Sequence, residues 1–179
     1  MNYDIDIDYW IKDVPLGQIR GHIILYLLDL MDGEYQIRDW IEKDKPEYVK
    51  NDDKNTRFGA NISFPAELFE DLCLKECITG EEVIDGHIGY SLKTKQEAEV
   101  LYKFAETFYK FKADVYNNHQ GESSATNQEY LSSPYLEPMR QAAGEAFRIF
   151  MENEKDNTEF CEFIEDLKVK RLKEISASC

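Results

Sequence analysis

The sequence predicts a mainly α, single-domain helical bundle of about five to six helices with a minor short β element. Three observations lead there. Apolar residues recur three and four apart over several long stretches, which puts them on one face of a helix. Pro, Ser and Thr stand where such stretches begin, and Gly where some of them stop. The length, 179 residues, suits one domain spanning 1–179, and 42% hydrophobic residues with 13% aromatics can fill its core.

The first element is the alternation Asp4-Ile5-Asp6-Ile7-Asp8-Tyr9, whose period of two predicts a short strand with Ile5, Ile7 and Tyr9 inward. Asp13 and Pro15 then start a helix, because proline's fixed φ fits a first turn. Leu16, Ile19, Ile23, Leu27 and Leu30 follow at helical spacing, and Gly33 stops the run. A shorter helix is expected over 34–43, with Ile37, Trp40 and Ile41 inward. Residues 44–61 are polar and form the longest expected loop. Ser63 and Pro65 open a further helix carrying Leu68, Phe69, Leu72 and Cys73, ending near Gly80. Over 84–92, Ile84, Ile88, Tyr90 and Leu92 alternate with Asp85, His87, Gly89 and Ser91, the second expected β piece, weakened by two glycines.

Thr94-Lys95-Gln96-Glu97 reads as a capping box: the Thr oxygen accepts from the third N–H while Glu97 reaches back. The helix it opens extends to about Asn117, with Leu101, Ala105, Phe108 and Val115 on one stripe that Phe104 and Phe111 widen. That breadth makes it the expected central helix. After a loop over 117–127, Ser133-Pro134 starts a helix burying Leu136, Met139, Ala143, Ala146, Phe147 and Phe150. The last is expected from Thr158 to Ile175, with Phe160, Phe163, Ile164, Leu167 and Leu172 inward.

Charge narrows the function classes. Thirty-six acidic against 21 basic side chains give a net charge of −15. Residues 1–60 hold 13 acids and 8 bases, 61–120 hold 11 and 6, and 121–179 hold 12 and 7, so each third carries −5. The acidity is a property of the whole chain and not of a tail. It argues against direct nucleic-acid binding, which needs Lys and Arg for phosphates. Eleven Tyr, 10 Phe and 2 Trp argue against disorder. The acidic start MNYDIDIDYW lacks a basic n-region, and the longest apolar run, Ile23 to Leu28, is far short of the ~18–20 residues a membrane needs. A soluble cytoplasmic protein without membrane contact is expected, with Cys73, Cys77, Cys161 and Cys179 as reduced thiols.

Few constellations carry chemistry. Asp4, Asp6 and Asp8 resemble the start of a calcium loop, but the sixth and twelfth positions hold Tyr9 and Pro15 where Gly and Glu are required. Cys73 and Cys77 share a helix face, and His87 or Cys161 could join them toward a tetrahedral zinc site. A second short hook is missing, so they read as small buried apolar side chains and no metal is expected. His22, His87 and His119 have no G-x-S-x-G nucleophile to serve, and neither a P-loop nor G-x-G-x-x-G occurs. A carboxylate pair such as Glu67 and Asp71 reads as a hydrated helix face. Glu152 to Asp166 holds seven acids and one base, while Lys168 to Lys173 holds four bases and no acid. The helix dipole accounts for that order, since it favours acids at the start and bases at the end. A bipolar docking surface is the alternative.

Two stretches carry a resemblance: Pro15, Arg20, Leu27 to Gln36 (LLDLMDGEYQ) and Trp40, then Ile88-Gly89, Gln96-Glu97-Ala98, Ser133-Pro134-Tyr135 and Arg140-Gln141-Ala142-Ala143. Their order is similar to that in a family of small bacterial hypothetical proteins, found in actinobacteria and elsewhere, that has no assigned activity. The resemblance covers most of 15–150 and supplies no catalytic residues; no cofactor motif occurs in the sequence, and none is expected. The small, acidic, motif-free profile also resembles, in composition, the immunity proteins that block bacterial toxins.

The functional expectation is a non-enzymatic binding protein: an immunity or inhibitor protein covering a cationic site of a basic protein partner, such as a cognate toxin domain. An acidic protein gains steered association with such a site. Its expected contacts are the strand acids Asp4, Asp6 and Asp8, the loop residues Tyr48, Asp52 and Asp53, and the turn acids Glu81, Glu82 and Asp85. An enzyme with an unrecognised carboxylate or histidine site, and an acidic nucleic-acid mimic, are the competing classes.

Overall fold

The computed structural model describes residues 11–33, 84–118 and 131–176. Four helices run through them: α1 (Gly17–Met31), α2 (Lys95–Asn118), α3 (Leu136–Asn153) and α4 (Thr158–Ser176). The mainly helical class therefore stands. The described residues hold four helices, against the five to six expected for the whole chain. The expected strand 4–9, the helices at 34–43 and from Ser63 to Gly80, the loop 44–61 and residues 119–130 lie outside the described residues. No described helix is long and apolar enough to cross a membrane.

The expectation of a β piece at 84–92 is corrected. Ile84 and Asp85 are helical, and the residues after them form consecutive turns with one isolated bridge between Ile88 and Leu92. The carbonyl of His87 accepts the N–H groups of Tyr90, Ser91 and Leu92 at 3.0–3.1 Å, so the chain coils over one acceptor instead of extending. Gly89 permits this with φ +87°, a conformation that side chains with a Cβ resist. The alternation still has a packing meaning in part: Ile84 and Leu92 are buried and Ile88 is half-buried, whereas Tyr90 stands out at 55% exposure.

Helix placement follows the apolar periodicity, with two corrections at helix ends. Leu16, placed by its spacing at the head of the α1 stripe, is 38% exposed. It is the cap before α1, with a non-helical backbone, and its N–H is turned to the Tyr90 carbonyl (3.0 Å). Leu172, expected inward, is 60% exposed, because Arg171 takes the inward position there and pairs with Asp29 of α1. Gly17 marks how closely α1 approaches the chain before it: a Cβ at this residue would lie 1.8 Å from the Ile11 carbonyl oxygen.

Among the described helices the centre is α3, not α2 as expected, since α3 packs extensively against both α1 and α2. Its buried Ala142, Ala143 and Ala146 explain this, because small side chains let helix axes approach from two sides. Met139, Phe147 and Phe150 fill the space between. From α2 come Leu101, Phe104, Phe108 and Phe111, all buried, with Phe104 and Phe108 ring centroids 6.0 Å apart. Phe160 and Ile164 of α4 close the core, and Lys168 lies over the Phe147 ring at 5.2 Å.

Candidate functional site

At the end of the bundle where α1 and α2 begin and α3 stops, a charged cluster occupies the interior. Arg20 sits in the first turn of α1, three and four residues before Ile23 and Ile24, so helical geometry aims it into the core. Its side chain is wholly buried. Glu97 in the first turn of α2 and Glu154 just past α3 are equally buried and converge on it. The guanidinium donates to both Glu97 oxygens, at 2.9 Å from Nη1 and 2.7 Å from Nη2. Nε donates to Glu154 Oε1 (2.5 Å) and Nη1 also to the Ser91 carbonyl (3.1 Å). The Phe150 ring lies 5.0 Å from the guanidinium carbon.

The same carboxylates gather a second cation. Lys93 Nζ donates to Asp13 Oδ2 (2.6 Å), Glu154 Oε1 (2.8 Å) and the Asn153 carbonyl (3.2 Å). Three acceptors match its three N–H donors, so this ammonium is held as a clasp. The capping box is formed in modified form. Thr94 Oγ1 accepts the Glu97 N–H (3.2 Å) as expected, but the Glu97 carboxylate takes the N–H of Lys93 (2.6 Å) and the Asn153 amide (2.8 Å).

These contacts determine proton affinity. Burial pushes the Glu97 carboxyl up, but the bonds and charge of Arg20, helped by Asn153 and the Lys93 N–H, outweigh it and hold Glu97 below its usual pKa. Arg20 is raised: its desolvation is outweighed by its bonds to, and the charges of, Glu97 and Glu154. Neither group exchanges a proton near neutral pH, so this pair is suited to holding elements together and not to acid–base catalysis. Above the clasp is a shallow depression lined by Lys12, Asp13, Lys93, Asn153, Asp156 and Glu159.

Of the residues expected to contact a partner, only Asp85 lies in the described part; Asp4, Asp6, Asp8, Tyr48, Asp52, Asp53, Glu81 and Glu82 lie outside it. Asp85 is exposed, and its carbonyl accepts the Ile88 N–H (3.1 Å), anchoring the turn that displays Tyr90. Cys73, Cys77, His119, Glu67 and Asp71 also lie outside the described residues. His87 is half-buried, 3.4 Å from the Ser91 hydroxyl. Cys161 directs its thiol at the Glu154 carbonyl (3.3 Å). Among the described residues no three His, Cys, Asp or Glu side chains are grouped to hold a metal ion.

Sequence reasoning missed the Arg20 cluster, although a signal existed. Arg20 interrupts an apolar stripe with no acid three or four residues away on its own helix, so a buried position requires partners from other elements. No family model matches the chain, and neither a curated protein nor a solved structure does so.

Proposed function

We propose that the chain is a non-enzymatic binding protein, an immunity or inhibitor protein made in the cytoplasm that covers a cationic site of a basic partner such as a bacterial toxin domain. The observation that carries this reading is the charge, −15 shared evenly along the chain. A partner that acts on nucleic acid or nucleotides must present a basic substrate site, and an acidic inhibitor finds it quickly by electrostatic steering.

The turn at Asp85 to Tyr90 supports the reading with an anchor. Tyr90 is exposed on a backbone fixed by three bonds into the His87 carbonyl, adjoins the exposed Leu16, and follows the Asp85 carboxylate by five residues. An exposed tyrosine on a fixed backbone is a residue type that interface hot spots favour. The proposed contacts outside the described residues are Asp4, Asp6, Asp8, Tyr48, Asp52, Asp53, Glu81 and Glu82.

The test starts with capture of proteins from the native host on the immobilised chain, followed by purification of each captured protein and assay of its own activity. The reading expects a basic protein whose activity is lost at one equivalent of the chain. It also expects Asp85→Lys and Tyr90→Ala to slow association and speed dissociation, respectively, by about tenfold or more. Binding without inhibition, or a captured partner that is itself acidic, overturns it.

A further inference from the structure

The solvent face of α4 has a feature that neither its packing nor the partner reading explains. The inward stripe of this helix is Phe160, Phe163, Ile164 and Leu167, continued by Arg171. Outside that stripe the first turns are acidic, with Glu162, Glu165 and Asp166 exposed, and the last turns are basic, with Lys170 and Lys173 exposed. Between the bases stand two exposed aliphatic side chains three residues apart, Val169 (45%) and Leu172 (60%). The helix dipole accounts for the order of the charges. It gives no reason for two aliphatic residues to face water among lysines.

We infer that this face pairs with α4 of a second copy of the chain, antiparallel about a two-fold axis near Val169. Antiparallel packing reverses the charge order of one helix against the other. Lys170 and Lys173 of each copy then lie beside Asp166 and Glu162 of the other. With Val169 near the axis it meets its own copy, and Leu172 covers the adjoining turn, because residues three and four apart share a helix face. The arrangement is isologous: the same patch serves both copies and the assembly closes at two.

Charge chooses this occupant. Two chains of −15 repel, so self-association needs a contact at which bases meet acids. Lys168 to Lys173 is the densest basic run in the sequence, and the acids that complement it lie on the same helix. Within the run, Arg171 is turned inward to Asp29, and Lys168 is occupied by Glu165 (2.7 Å) and the Phe147 ring, so Lys170 and Lys173 supply the outward charge. Two paired helix ends bury less than the ~1,200 Å² of a stable complex, so the dimer is weak and dissociates on dilution.

Sedimentation velocity of the full chain over a dilution series, up to about 0.5 mM, tests this against plain charge repulsion. The wild type is expected to move from monomer to dimer with concentration, and Val169→Ser with Leu172→Ser to remain monomeric while keeping its helical circular dichroism. Glu162→Lys with Asp166→Lys is the deciding variant. It makes the chain less negative, so repulsion alone predicts stronger association, whereas the antiparallel pairing predicts association weakened about tenfold. Adding Lys170→Glu and Lys173→Glu to that variant restores complementarity and is expected to restore the dimer. A wild type that stays monomeric throughout, or variants that associate in the order of their net charge, overturns the inference.

Discussion

Arg20 and Glu97, 77 positions apart, meet as a two-pronged ion pair with both side chains out of water. Through it the first turn of α1 is fixed to the first turn of α2, and Glu154 adds the end of α3. Removing one member of such a cluster strands the others in a medium that solvates charge poorly.

Arg20→Met is therefore expected to destabilise the fold by ~3–5 kcal/mol, since it leaves the Glu97 carboxylate buried without its bidentate partner. Arg20→Lys should recover little, because an ammonium cannot reproduce the planar fork. Urea unfolding of the two variants beside the wild type reads both. A loss below ~1 kcal/mol for Arg20→Met would mean that water reaches the cluster.

Acid should unfold the protein in two stages. Burial holds His22 below its usual pKa, so the unfolded chain takes up its proton first, and stability begins to fall as pH drops below about 6.5. Glu97 is held low in the fold by Arg20 in spite of burial, so its contribution is full above the ordinary carboxylate range and is lost as pH falls through and below it. Melting temperatures measured from about pH 8 to pH 3 should show both slopes. His22→Gln should flatten the first and Glu97→Gln the second.

Two glycines should respond to alanine for different reasons. Helical Gly→Ala ordinarily stabilises by about 1 kcal/mol. At Gly17 the sign should reverse, because the new methyl would meet the Ile11 carbonyl oxygen, and relieving that overlap costs ~1–3 kcal/mol or more. At Gly89 there is open space, so Gly89→Ala should cost only the ~1–2 kcal/mol of a left-handed backbone. Gly89→Asn should recover part of that cost and Gly17→Asn none, with thermal melts as the readout.

Leu27→Ala and Leu101→Ala should each cost ~2–5 kcal/mol, because both side chains are buried in the shared core of α1, α2 and α3. Denaturant midpoints at unchanged slope would report a pure loss of packing. Costs under ~1 kcal/mol would mean that the neighbouring side chains close the gap.

How much of this was legible depended on the interaction concerned. Helix α3 could be read almost residue by residue, since Leu136, Met139, Ala143, Ala146, Phe147 and Phe150 are all buried at the helical period. That periodicity reports a burial stripe and says nothing of which helix lies in the middle. Alanines decide that by allowing close approach on two sides, and so α3 stands at the centre of the described helices. The 84–92 alternation misled because the chain coils there: Ser91 and Leu92 are both buried and Gly89 and Tyr90 both exposed, so burial follows the turns and not a period of two. The Arg20 cluster was the hardest to see. Its partners come from three separate segments, and only tertiary structure brings Glu97 and Glu154 to an arginine that hydropathy counts as polar. Of the expected contact surface, Asp85 alone falls among the described residues.

Lys93 and Arg20 together balance Glu97 and Glu154, and this fixes what a molecule at a distance senses. The four make an electrically neutral block, and removing them from the count leaves the chain at −15. The monopole that reaches past a Debye length of about 8 Å thus owes nothing to this cluster. Stability and long-range attraction become separable: exchanging Arg20 and Glu97 together for apolar residues would reshape the interior without altering the pull on an approaching cation.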